Sequence, residues 1–77
     1  MKIEIISFGK ISEFIENQHL ELKDISNIEQ LKHHLETTFP LLGTIKYKLA
    51  LNKQMVQGNP DLSNSDQIAI MPPFSGG

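Results

Sequence analysis

The chain has 77 residues, 39% hydrophobic and 21% charged, a balance that suits one small globular domain and is too apolar for intrinsic disorder. A domain of this size buries only about 60% of the surface its unfolded chain exposes, so its core is thin and leaves little room for an internal catalytic cavity. Net charge is -2, the seven basic residues are scattered lysines, and cysteine is absent, which argues against a nucleic-acid surface, a disulfide framework, a thiolate nucleophile and a cysteine metal site.

Met1-Lys2-Ile3-Glu4-Ile5 interrupts its apolar residues with charge, unlike a signal peptide or a membrane span, so a cytoplasmic location with no membrane partner is expected. Residues 2–8 alternate and are rich in β-branched side chains. They predict a strand with Ile3 and Ile5 on one face and Ile6 and Phe8 on the other. Gly9 breaks that run, and the spacing of Ile11 and Phe14 predicts a short helical turn. Asn17 and Gln18 supply turn chemistry before residues 19–22, whose alternation predicts a second strand antiparallel to the first.

Ser26 stands three residues before Glu29, a pattern in which each side chain satisfies a free N–H at a helix start. The helix carries Ile28, Leu31, Leu35 and Phe39 as one apolar stripe and ends before Pro40. Residues 41–43 connect it to a strand over 47–51, with Tyr47, Leu49 and Leu51 inward. Asn52 and Lys53 turn the chain, and Met55 and Val56 form a short apolar pair. After loops dense in turn formers, residues 67–71 predict the last strand, with Ile68 and Ile70 on one face. The predicted fold class is α+β, a single domain over 1–77 in which a mixed sheet of about four to five strands packs on one main helix, the β-grasp architecture.

The last strand runs into Met71-Pro72-Pro73-Phe74-Ser75-Gly76-Gly77. Two consecutive prolines donate no ladder hydrogen bonds, so pairing ends near Met71. The chain is then expected to leave the sheet as an extended tail over 72–77, stiff at the prolines and flexible at the glycines. A frayed terminus is ordinarily polar, whereas this one carries Met71, Pro72, Pro73 and Phe74, which points to docking. Gly76 and Gly77 lack side chains and fit a channel too narrow for any other residue. A terminal carboxylate, with a pKa of about 3.3 to 3.7, is ionised at neutral pH and is a poor electrophile. Its use as an acyl group needs activation by ATP on a partner enzyme.

Over its full length the chain resembles the family of molybdopterin synthase small subunits, sulfur carriers of the ubiquitin-like β-grasp superfamily. The residues that carry the resemblance are Asp66-Gln67-Ile68-Ala69-Ile70-Met71-Pro72-Pro73-Phe74-Ser75-Gly76-Gly77, supported by Leu49-Ala50-Leu51-Asn52 and Phe8-Gly9. The resemblance implies a cycle. An activating enzyme related to those of ubiquitin consumes ATP and adenylates Gly77, and sulfur from a persulfide donor converts it to a thiocarboxylate. The tail, threaded through Gly76, then enters the large catalytic subunit and gives its sulfur to a pyranopterin precursor to build the molybdopterin dithiolene. The implied assembly is a heterotetramer of two small and two large subunits, in which the small chain binds no cofactor and alone catalyses nothing. Departures from the family pattern are Phe74, often valine, Gln67, often an acid, and Gly9-Lys10-Ile11-Ser12-Glu13 in place of Ala-x-x-Arg-Glu.

The candidate partner-binding residues are therefore Ile6, Phe8, Met71, Pro72, Pro73, Phe74 and Ser75, with Ala69 beside Ile6 on the sheet face away from the helix. The bland alternative has Ile11 and Phe14 covering part of that face. Adjacent His33 and His34 point about 100° apart on a helix and suit solvent better than a metal, and no metal site is expected. Ser75 lacks a base to activate it and suits a spacer. The rival readings are a thiamine-pathway sulfur carrier, a protein modifier joined through Gly77, and an interaction module with an inert tail.

Overall fold

The computed structural model describes residues 1–73. Among them the elements run β1 (Lys2–Ser7), a 3-10 helix (Gly9–Glu13), β2 (Gln18–Glu21), α1 (Ile28–Thr38), a second 3-10 helix (Pro40–Thr44), β3 (Lys48–Leu51), β4 (Gln54–Met55) and β5 (Gln67–Met71). The strands form one sheet in the order β2-β1-β5-β3-β4. The central pair, β1 and β5, is parallel, with Glu4 opposite Gln67 and Ser7 opposite Ile70. The remaining pairs are antiparallel, so the sheet is mixed, as the element order predicts. No helix of the described residues is long and apolar enough to cross a membrane.

Strand periodicity divides the sheet into two faces. Ile3, Ile5, Ile68 and Ile70 point one way and are fully buried against Ile28, Leu31 and Leu35 of α1. Each aliphatic side chain removed from water in this way contributes roughly 1.5 to 3 kcal/mol. Ile11 and Ile15 from the first connection and Leu42 from the second 3-10 helix close the same core. Pro40 stops α1 as expected: Thr38 is its last residue, and the Phe39 N–H donates to the Leu35 carbonyl at 2.7 Å.

The start of α1 differs from the Ser26-x-x-Glu29 expectation. Asn27 is the cap, its Oδ1 accepting from the Gln30 N–H at 2.9 Å. Gln30 Oε1 in turn accepts from the Ser26 N–H at 2.7 Å and the Ser26 hydroxyl at 3.2 Å. The Glu29 N–H instead donates to Asn59 Oδ1 at 2.8 Å. The cause is tertiary. The Leu62 N–H donates to the Ser26 carbonyl at 2.8 Å, and the Ile28 N–H to the Pro60 carbonyl at 3.0 Å. That bridge, with Asn27 opposite Asp61, keeps the chain extended for one residue more than local capping predicts.

Candidate functional site

The face of the sheet away from α1 has no covering layer among the described residues. Ile6 from β1, Phe8 just beyond it, Ala50 from β3, Met55 from β4, and Ala69 and Met71 from β5 line a shallow depression of about 470 Å³, together with Lys53 and Gln67. Phe8 is 48% exposed and Met55 51%, a large apolar exposure for so small a chain and the property of a docking surface. Ile11 is fully buried in the core and Phe14 packs partly against it. Neither lines the depression on this face.

Phe8 owes its position to backbone bonding rather than to a strand of its own. It is extended, at φ -128° and ψ 155°, and its N–H donates to the Ile70 carbonyl at 3.0 Å, which carries the parallel ladder one residue past β1. Beneath it Ser7 is buried and doubly held. Its hydroxyl donates to the Ile15 carbonyl and its N–H to Asn17 Oδ1 at 2.9 Å. These bonds fix the end of β1, and with it the aromatic ring on the open face.

Sequence reasoning placed Ile6, Phe8, Ala69 and Met71 on this face but missed Ala50, Lys53 and Met55. The sequence marks the turn at Asn52 and Lys53 but not its register. Asn52 and Lys53 have φ of 49° and 72°, the pair of positive values that a two-residue type I′ hairpin requires. Such a loop sets Ala50 opposite Met55 and so adds the methionine to the side that Ala50 faces. Asn52 also ties this hairpin to the final strand. Its Oδ1 accepts from the Gln67 N–H at 2.9 Å, and its Nδ2 donates to Asp66 Oδ1 at 2.9 Å. Asp66 Oδ2 accepts from the Ser63 N–H at 2.7 Å within the loop that precedes β5.

β5 ends with Met71 opposite Lys48, where the double proline requires pairing to stop. Pro72 is half-buried and Pro73 exposed. Gly9, at φ 60°, lies so close to the Pro72 ring that a Cβ there would stand 2.9 Å from Cγ and 3.4 Å from Cδ. Phe74, Ser75, Gly76 and Gly77, expected to dock, space and carry the reactive carboxyl, lie outside the described residues.

A larger depression, about 780 Å³ between α1 and β3, is lined by Lys32, Tyr47, Val56, Asn59 and neighbours and holds none of the predicted site residues. On that side Tyr47 donates its hydroxyl to Glu36 Oε2, and Lys32 Nζ lies 5.5 Å from the ring centroid. Burial, the hydrogen bond to Glu36 and that carboxylate's charge all raise the Tyr47 pKa above its ordinary value. His33 is exposed and His34 half-buried on α1.

The fold agrees with that of similar proteins. The model of the ThiS family matches residues 5–77. The molybdopterin synthase sulfur carrier subunit of Chlamydomonas reinhardtii is 32% identical over 83 residues, covering all of both chains. Among solved structures, one titled as the complex of subunits 1 and 2 of the molybdopterin-converting factor from Helicobacter pylori contains a chain 28% identical, with TM-score 0.73 and full coverage of both chains. A Pyrococcus furiosus protein assigned as subunit 1 of that factor shares the fold at TM-score 0.84 and 14% identity, over 95% of this chain and 98% of its own. With a family match that spans nearly the whole sequence and a curated relative above 30% identity end to end, the chain belongs to the ThiS family.

Proposed function

We propose that this chain is the sulfur carrier subunit of molybdopterin synthase, with Gly77 as its acyl carrier position and the open sheet face as its docking surface. The observation that carries the reading is the full-length match to a curated sulfur carrier subunit of that enzyme. Geometry supports it. The strand that leads into Gly76-Gly77 leaves the sheet beside Phe8 and Met71, so a single partner surface can hold the apolar face and receive the tail.

In this reading the Gly77 carboxylate attacks the α-phosphorus of ATP on an activating enzyme, and pyrophosphate leaves. A persulfide sulfur then attacks the acyl carbon and displaces AMP, forming an acyl disulfide. A second thiol reduces that bond, which leaves the thiocarboxylate and a new disulfide. The large catalytic subunit takes the charged tail and passes its sulfur to the pyranopterin precursor, while the chain itself supplies docking and delivery and performs no catalysis. The double proline and the named relatives favour this pathway over the thiamine one.

Intact mass after incubation with the activating enzyme, ATP and a persulfide donor tests the reading. The expected product has one oxygen exchanged for sulfur at Gly77, and addition of the large subunit with precursor yields the dithiolene. An unchanged mass under conditions that charge a known carrier overturns the proposal, and ladders of lysine conjugates favour the modifier.

A further inference from the structure

Among the described residues, Lys53 is the one charged side chain that lines the depression around Phe8, Ala69 and Met71. Its backbone is unusual as well. The described non-glycine residues with positive φ are Asp24, Asn52, Lys53 and Ser65. Asp, Asn and Ser are short and polar and bond to nearby backbone in turns, whereas lysine has no such local gain. Glycine would take the φ of 72° at residue 53 at no cost. A long side chain kept in a conformation that favours glycine is a constraint of the kind that gathers at functional sites.

The root of Lys53 is fixed, because the Asn52 N–H donates to the Gln67 carbonyl at 2.8 Å and Asn52 Oδ1 accepts from the Gln67 N–H at 2.9 Å. Its charge has no partner among the described residues, where the ion pair joins the Met1 ammonium to Glu21. Asp66, next to this turn, has Oδ1 bonded to Asn52 and Oδ2 to Ser63. Glu4 Oε1 accepts from Gln67 Nε2 at 3.1 Å. Lys48, exposed and opposite Met71, adds a second positive charge on the β3 side of the face. A partner that covered the depression with apolar surface alone would strip water from Lys53 without replacing it, which is costly for a charge.

We propose that Lys53 is a specificity-determining residue of the docking face, met by a carboxylate of the large subunit at the edge of the apolar contact. This rests on the sulfur-carrier reading. The apolar side chains then supply adhesion, while Lys53 supplies orientation and the choice of partner. Charge at the border of an interface acts in this way, by steering association and by rejecting surfaces of like charge.

Calorimetric titration of the large subunit with the full chain and its variants tests the assignment. Lys53→Gly removes the charge and relieves the backbone, so affinity should fall about fivefold while the urea midpoint stays at or above that of the wild type. Lys53→Glu should weaken binding about 100-fold or more, as juxtaposed like charges do. Lys32→Glu makes the same reversal on an exposed position of α1, beneath the other side of the sheet, and should leave Kd within about twofold. Raising salt from about 50 to about 500 mM should weaken the wild type more than the Lys53→Gly chain. Wild-type affinity in both Lys53 variants overturns the proposal, as does an equal loss in Lys53→Gly and Lys53→Glu, or in Lys32→Glu and Lys53→Glu. A loss seen only in charging by the activating enzyme overturns the choice of partner. If the wild-type chain does not bind the large subunit, the sulfur-carrier reading fails and this assignment with it. Normal wild-type binding with indifferent Lys53 variants removes the assignment and leaves that reading standing.

Discussion

Tyr47 shows how a single side chain couples burial to pH. Its hydroxyl donates to Glu36 and its ring is partly covered by the core, so the neutral phenol is favoured in the folded state and its pKa is raised. The unfolded chain releases this proton at about pH 10. Above that pH unfolding is accompanied by proton release, so the stability from the neutral phenol is fully present below about pH 10 and is lost as pH rises through the higher folded value. Urea midpoints should therefore fall above pH 10 in the wild type, and that fall should shrink in Tyr47→Phe. Because Tyr47 is the only tyrosine and tryptophan is absent, tyrosinate absorbance in the folded protein follows this group alone and should appear later than in urea.

At the scale of elements, caps and turns depend on partners distant in sequence. α1 has a local apolar stripe, yet its first turn is completed by Asn27, by Gln30 reaching back to Ser26, and by Asn59 from a loop about thirty residues on. Asn27→Ala removes the side-chain acceptor for the Gln30 N–H and should cost about 1 kcal/mol by chemical denaturation. Ser26→Ala, which removes only a 3.2 Å hydroxyl bond on an exposed residue, should cost less. The opposite order would restore Ser26 as the cap. The β3–β4 turn follows the same rule, with Asn52 serving both its own left-handed backbone and the entry to β5.

For the whole molecule, one sheet serves two unlike purposes. Its inner face packs against α1 to form the core, while its outer face is the proposed docking surface. Ile68→Ala should destabilise by about 2 to 5 kcal/mol, a large share of what a domain this small possesses. Phe8→Ala should change unfolding free energy by less than about 1 kcal/mol yet weaken binding to the large subunit more than tenfold, as loss of a central aromatic anchor does. Paired urea titrations and calorimetric binding read both effects, and a Phe8 variant that binds normally would remove the face from the docking surface. Five residues, Ile6, Phe8, Ala69, Met71 and Pro72, lie far apart in the sequence and meet only because β1 and β5 pair in parallel.

Much of this was legible in the residues. Alternation in residues 2–8 and 67–71 sorted inner from outer side chains, since a strand's side-chain period of two is local. The stripe Ile28, Leu31, Leu35 marked the helix and Pro40 its end for similar reasons. Met71-Pro72-Pro73 determined where pairing must stop, because a proline lacks its N–H wherever it stands. Tertiary structure alone decided the strand order, the shift of the cap from Ser26 to Asn27 and the seating of Pro72 on Gly9. Each of those depends on a contact between residues far apart in the chain, whose geometry no periodicity encodes.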